Sequence, residues 1–439
     1  MTNSDITAAY YGVDPVNKIY MGDELVWPTT PPEPVYSAMP LTFEILSAGT
    51  ISASTEKNLE YSLNDGEWTT YTSEINLQQG DVIKFRGNNE TSPQFGGTAY
   101  FNAYGNAYSV LSATGFENIT ALTVSQTCSY MFGSYDYEDD SKGANIVSAE
   151  NLKLPATTLA NSCYSSMFRG CTSLTSAPEL PARSVAGGCY SYMFDSCSSL
   201  TTAPALPATT ISNSCYSYMF YNCTGLTSAP ELPATRLADS CYYMMFQNCT
   251  SLTTAPELPA TILASNCYQQ MFLNCTSLVA VPSILPATRL IDSCYRIMFY
   301  GCTSLTTAPE LPATSLATNC YSEMFENCTS LTTAPALPAT TLERYCYRGM
   351  FKGCTSLTTA PSTLPATRLA SYCYQEMFKG CRSLNYIKCL ATNMSATDCT
   401  NYWVQSVASS GTFVKHPDAT WTTGASGIPD GWTVQNADI

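Results

Sequence analysis

The sequence predicts an α/β solenoid of about 26-residue units, each a short strand plus a short helix, preceded by a small all-β domain. Three observations predict it. From Leu154 to Cys381 one phrase recurs, first as LPATTLANSCYSSMFRGCTSLTSAPE and then as LPARSVAGGCYSYMFDSCSSLTTAPA. The first cysteine of each unit falls at 163, 189, 215, 241, 267, 294, 320, 346 and 373, a period of 26 with two units of 27. Residues 35–110 carry no such phrase and alternate apolar with polar residues instead.

The helix is read from one apolar stripe. Cys189, Tyr190, Met193, Phe194 and Cys197 sit at offsets 0, 1, 4, 5 and 8, which gathers them on one side of two helical turns. Ser214, Ser240, Asn266 and Ser293 precede their stripes as N-cap residues. Gly170, Asn222, Asn248, Asn274 and Gly301 stand where a left-handed residue would end the helix. The strand is read from Leu200 to Leu206, where alternation sends Leu200, Thr202, Pro204 and Leu206 to one side. Its proline limits pairing, so a ladder of very short strands with a bend after each is expected.

The remaining segments attach to this array. Residues 1–34 hold a hairpin, KIYMGDELVWP, with its turn at Gly22-Asp23, followed by the Pro-rich linker TTPPEP. A piece so small does not fold alone, so Tyr20, Val26 and Trp27 are expected to dock on another subunit. Residues 35–110 read as a β-sandwich, with Asn-Asp-Gly and Gln-Gly-Asp turns between alternating runs. Residues 111–153 form an N-terminal cap with a degenerate unit at Cys128, residues 154–389 the nine-unit solenoid, and residues 390–439 a C-terminal cap. Caps cover a core that the array would otherwise expose at each end.

The pattern MF-x-(N/G)-CTSL-TTAP-x-LPAT-x-LA resembles the BspA-like leucine-rich repeats of Bacteroides surface proteins and their phages, over roughly residues 100 to 439. The resemblance implies a leucine-rich-repeat-like coil and adhesion, with protein or glycan contact. The segment around Tyr20 to Trp27 resembles the short attachment pieces of phage tail proteins. Together they imply a bacteriophage virion protein, a head or tail fibre displaying the solenoid for host-surface attachment. The alternatives are a bacterial cell-surface adhesin of the same repeat family and a purely architectural virion protein. The partners expected are other virion proteins and a host surface glycan or protein, with further copies of the chain as an open option.

Composition excludes other classes. A net charge of −15 repels a phosphate backbone, which argues against nucleic acid. No run approaches the apolar length needed to insert in a bilayer, and MTNSDITAAYYG lacks the basic-then-apolar order of a signal peptide. These readings place the chain in a virion, made in the host cytoplasm. The 21 cysteines recur along an axis rather than converging on a point, so no metal is expected. They read as buried, reduced thiols, with bridges between adjacent coils as the alternative.

No catalytic residue and no cofactor are expected, because nearly every polar residue is duplicated along the array. His416 reads as a surface histidine, and Asp136, Glu138, Asp139 and Asp140 as a solvated insertion with calcium as the alternative. Glu179, Glu231, Glu257 and Glu310 read as a solvating row, and Arg236, Arg289 and Arg368 after LPAT as relieving like-charge repulsion between coils. The binding candidates are Tyr192, Tyr218, Tyr221, Tyr243 and Met244, which occupy variable outward positions where other units have Ser, Gln, Glu or Arg.

Overall fold

The computed structural model describes residues 35–54, 57–136 and 142–438, together with the backbone of the strands at Tyr10–Tyr11, Asp14–Pro15, Ile19–Met21 and Glu24–Trp27. The last two of these strands pair antiparallel, Tyr20 opposite Leu25 and Met21 opposite Glu24. The side chains of Tyr20, Val26 and Trp27, the linker at 29–34 and the acidic residues Glu138, Asp139 and Asp140 lie outside the described residues.

Two sheets follow. Strands Ile146–Ser148, Phe101–Asn106, Leu41–Ile45, Val82–Gly87, Leu59–Leu63 and Thr69–Thr70 lie in that order in the larger one, and Phe95–Gly96, Gly49–Ala53 and Ile75–Leu77 make the smaller. Alternation explains their facing. Along Val82–Gly87, Ile83 and Phe85 are buried while Lys84 and Arg86 are partly exposed. Phe43 of the larger sheet meets Phe95 of the smaller with ring centroids 5.1 Å apart, so the aromatic rings fill the space between the sheets.

The larger sheet does not stop at residue 110. Ile146–Ser148 and Leu152–Lys153 both pair parallel with Phe101–Asn106, so the first coil of the solenoid is stitched edge-on to the sheet. Phe132 packs on Phe43, Phe95 and Phe101, and then on Phe168 of the next coil. One hydrophobic core therefore runs without a break from Leu41 to Trp432.

Among the described residues no α-helix occurs, and the predicted helix is replaced by a ladder of turns. The backbone bonds alternate strictly. Tyr164, Ser166, Phe168 and Gly170 donate their N–H to Cys189, Ser191, Met193 and Asp195 of the next coil, at 2.8 to 3.0 Å. Between them Ser165, Met167 and Arg169 donate three residues back, to Ser162, Tyr164 and Ser166, at 3.1 to 3.2 Å. Every fourth residue is left-handed, as at Ser214, Tyr218 and Asn222 with φ of 54°, 59° and 56°. A right-handed helix cannot pass through such residues.

The expected helix caps are thus turn residues. Ser214, Ser240, Asn266 and Ser293 have φ between 54° and 56°, and Gly170, Asn222, Asn248, Asn274 and Gly301 are left-handed as read from the sequence. The apolar stripe is inward as expected, Cys, Tyr, Met, Phe and Cys of each of the nine units being at most 1% exposed. In the N-terminal cap Cys128 donates its N–H to Cys163, the bond that Tyr164 makes to Cys189. Thr127-Cys128 consequently stands where later units have Cys-Tyr, a register shifted by one from the sequence reading.

The two other sides of each coil carry single parallel bridges rather than strands. One series runs Thr202, Ser228, Thr254 and Ala280, and another includes Ser184 to Thr210 and Arg236 to Ile262. Leu200 and Leu206 point inward as predicted, but Thr202 is exposed and Pro204 only half-buried. The proline removes the N–H that strict alternation would have placed in a ladder. Hydroxyls add to this side instead: Thr227 Oγ1 donates to Thr201 O at 3.1 Å, one coil back.

The C-terminal cap closes the array with Trp403, which is fully buried on Tyr374 and Phe378 and donates its indole N–H to Gly427 O at 2.8 Å. A parallel three-stranded sheet of Tyr386–Cys389, Thr412–Lys415 and Thr433–Asn436 completes it.

Candidate functional site

In the turn ladder the offsets 0, 1, 4, 5 and 8 are spent on the core, so the outer side is built from offsets 2, 3, 6 and 7, where small or paired side chains such as Ser166, Asp195 and Ser322 are themselves buried and larger ones reach the surface. The inward residues stack in register. Phenylalanine centroids follow one another at 5.4 to 5.7 Å from Phe132 to Phe378, and this regular spacing fixes the spacing of the outward rows as well. The ladder face is consequently a rigid plate carrying different side chains at equivalent points.

Its N-terminal half is aromatic. Tyr192 and Tyr218 stack at 4.4 Å with planes 10° apart, and Tyr218 also meets Tyr221 at 5.6 Å and the edge of Tyr243 at 5.3 Å. The structure thus brings four of the five sequence-predicted residues into one cluster, each of them half-buried. Met244 occupies the outward point one coil beyond Tyr218, also half-buried, with φ of 54°. Burial pushes the Tyr218 hydroxyl well above its ordinary range, with Tyr192 and Tyr243 adding to the shift. Tyr218 therefore stays uncharged, and the patch presents ring faces and hydroxyl groups.

The C-terminal half is ionic, and sequence reading missed it. Arg348 donates to Glu323 at 2.8 Å and to Gln375 at 3.2 Å. Lys352 bridges Glu326 and Glu376, both at 3.1 Å, and Lys379 meets Glu376 at 2.7 Å. Burial opposes the charge on Lys352, yet the carboxylates of Glu376 and Glu326 outweigh it and raise its pKa. Desolvation raises Glu326 despite Lys352, whereas at Glu376 the bonds from Lys379 and Lys352 overcome burial and lower it. Beside this network Tyr345 stacks on Tyr372 at 4.6 Å, with the Arg344 guanidinium 4.7 Å from the Tyr345 centroid. The signal was available, since these charges recur at the same outward offsets as the tyrosines.

Between the halves an amide ladder runs along the left-handed positions. Asn248 Nδ2 donates to Asn222 Oδ1 at 2.8 Å and Asn274 Nδ2 to Asn248 Oδ1 at 3.1 Å. At the N-terminal end Arg169 and Asp195 form a buried ion pair at 2.9 Å, each at most 4% exposed.

The other candidates do not assemble into a site. Glu231, Glu257 and Glu310 are exposed on a different side, where the first two flank a shallow groove lined by Pro233, Pro256 and Pro259. Glu179 is exposed and lies 3.8 Å from Lys153. Arg236, Arg289 and Arg368 lie on the bridged side. His416 Nδ1 accepts the Asp418 N–H at 3.1 Å, and Asp136 pairs with Lys142 at 2.6 Å. No group of three or more His, Cys, Asp or Glu placed to hold a metal occurs among the described residues. No helix among them is long and apolar enough to cross a membrane. All 21 cysteines are buried and unbridged.

Comparison with known proteins follows this geometry. The model of the BspA type leucine rich repeat region matches in six copies, covering residues 144–279, 189–306 and 290–402. A leucine-rich repeat protein of known structure from Bacteroides ovatus ATCC 8483 is similar at 16% identity with a TM-score of 0.30, covering 77% of this chain and 86% of that one. No curated protein sequence matches the chain.

Proposed function

The chain belongs to the BspA-type leucine-rich repeat family, and from that premise we propose that it is a non-enzymatic surface-adhesion protein whose turn-ladder face is the contact surface. One observation carries the reading. The third residue after the first cysteine is left-handed in all nine units, yet only one unit uses glycine there, Gly349. The others hold Ser166, Tyr192, Tyr218, Met244, Gln270, Ile297, Glu323 and Glu376. Left-handed backbone costs a residue with a Cβ roughly 1–2 kcal/mol. Keeping large, varied side chains at that cost at seven of the nine positions, Ser166 being small and buried, favours their use in recognition over plain solvation. Tyrosine suits it, because it brings area and a hydroxyl at small entropic cost.

The family favours the surface-adhesin reading over the virion reading. The antiparallel pair at Ile19–Met21 and Glu24–Trp27 is the feature that speaks for virion attachment, as a small piece able to dock. One experiment separates them. Full-length protein is applied to intact Bacteroides cells with and without capsule and to immobilised mucin, beside a Tyr192→Gly/Tyr218→Gly variant. Glycine suits both left-handed positions, so the variant keeps its circular dichroism. Binding to mucin that falls at least about tenfold in the variant supports adhesion through this face. Binding to the cells that falls likewise supports the virion reading, and equal binding by both proteins, or binding by neither, sinks the face as the contact surface.

A further inference from the structure

A cleft of about 320 Å³ opens where the β-sandwich meets the first coil, and Tyr130 in its lining stands two coils before Tyr192 on the same left-handed row. The junction is rigid: Ser92 and Phe95 of the sandwich donate their N–H to Thr127 O and Met131 O at 2.6 and 2.7 Å. Gln94 Nε2 adds a bond to Gly133 O at 2.7 Å. The chemistry of the lining is specific. Hydroxyl and amide groups dominate it, with Lys57 as the one charged side chain among the described lining residues. Lys57 donates to Thr91 Oγ1 at 2.8 Å, and an ammonium group carries two further donors.

Two features ask for a guest. Ser92 lines the cleft, is 8% exposed, and its Oγ has no hydrogen-bond partner among the described residues. A buried hydroxyl left unsatisfied is costly, and turning the Ser92 hydroxyl about χ1 into the cleft would let a polar ligand relieve it. At the rim Tyr130 and Tyr135 stack at 4.1 Å, and Tyr135 is 57% exposed. An exposed ring beside a hydroxyl-lined pocket of this size matches a pyranose, which offers an apolar C–H face to the ring and hydroxyls to the wall.

We propose that this cleft is a second, independent site that binds a single saccharide residue, through Ser92, Thr91 and Lys57 on its hydroxyl groups and Tyr135 on its ring face. It does not depend on the adhesive reading of the ladder face.

Saturation-transfer NMR on the full chain tests it, with neutral hexoses, N-acetylhexosamines and uronic acids offered at millimolar concentration, the affinity range of one small pocket. At least one sugar is expected to show transfer. Ser92→Ala removes the unsatisfied hydroxyl, so this variant is expected to be at least as stable as the parent while binding falls about tenfold. Tyr135→Ala, at an exposed position, is expected to weaken binding without changing the melting temperature. A preference for uronic acids that is lost in Lys57→Met assigns the ammonium to a carboxylate; equal transfer from neutral sugars assigns it to hydroxyls. The Tyr192→Gly/Tyr218→Gly variant is expected to bind the sugar unchanged. The proposal is overturned if no sugar shows transfer, if Ser92→Ala and Tyr135→Ala both bind like the parent, or if the ladder-face variant loses the signal.

Discussion

Gln269 and Gln270 are neighbours of the same type, yet the turn ladder gives them opposite backbones. Gln270 has φ of 58°, whereas Gln269 is not among the left-handed residues and is 8% exposed. Glycine relieves a left-handed position and loosens an ordinary one. Gln270→Gly is therefore expected to raise stability by up to ~1 kcal/mol and Gln269→Gly to lower it by about the same. Urea denaturation of the two variants checks this, and equal losses in both would mean a helix after all. The cysteines at offset 8 obey a similar local logic. Cys249 Sγ donates to Phe220 O at 3.1 Å, and Cys197, Cys223, Cys275, Cys302, Cys328, Cys354 and Cys381 make the equivalent bond one coil back. A thiol is small enough for the core and still donates to a carbonyl that would otherwise accept only from its own turn.

At the scale of the element, the repeat, its period and the inward Cys, Tyr, Met, Phe and Cys of each unit were legible, because each leaves a mark in residue type and spacing. The helix was misread for a physical reason. Offsets 0, 1, 4, 5 and 8 fit a period of 3.6, but they fit a period of four better, and Ser, Asn and Gly recur at that same interval. Left-handed tyrosine or methionine has no signature of its own, so Tyr218 and Met244 concealed the turns. On the turn-ladder face the tyrosines were visible as departures from a monotonous pattern. Arg348, Lys352 and Glu376 stand at the same offsets and were passed over, because single charges read as solvation until the register brings Arg348 to Glu323 and Lys352 to Glu376 from neighbouring coils. The C-terminal cap shows how much one element carries. Trp403→Ala removes a fully buried indole and its bond to Gly427, and a loss of about 3–5 kcal/mol is expected. Hydrogen exchange should then rise first in the last coils, near Tyr374 and Phe378, and stay slow near Phe194; uniform exchange along the array would show that the cap does not close it.

Over the whole molecule, stacking one unit on the next produces a property that no single unit has. Burial pushes thiol after thiol upward, Cys189 to about 11 and Cys215, Cys267, Cys320 and Cys373 each to about 12. In the unfolded chain a thiol ionises near 8.5. Between that value and the folded one the unfolded state sheds protons that the native state keeps. The stability these thiols contribute is therefore intact below about pH 8.5 and is lost as pH rises toward 11 to 12, at about 1.4 kcal/mol per pH unit for each thiol. Many act together on one continuous core, so the loss is steep. Circular dichroism is expected to collapse in a narrow alkaline transition, and thiolate absorbance to appear with it rather than before it. Thiolate forming while the fold is still intact would mean that water reaches the stacked cysteines, and that the core is not the closed column on which the rigid outer face depends.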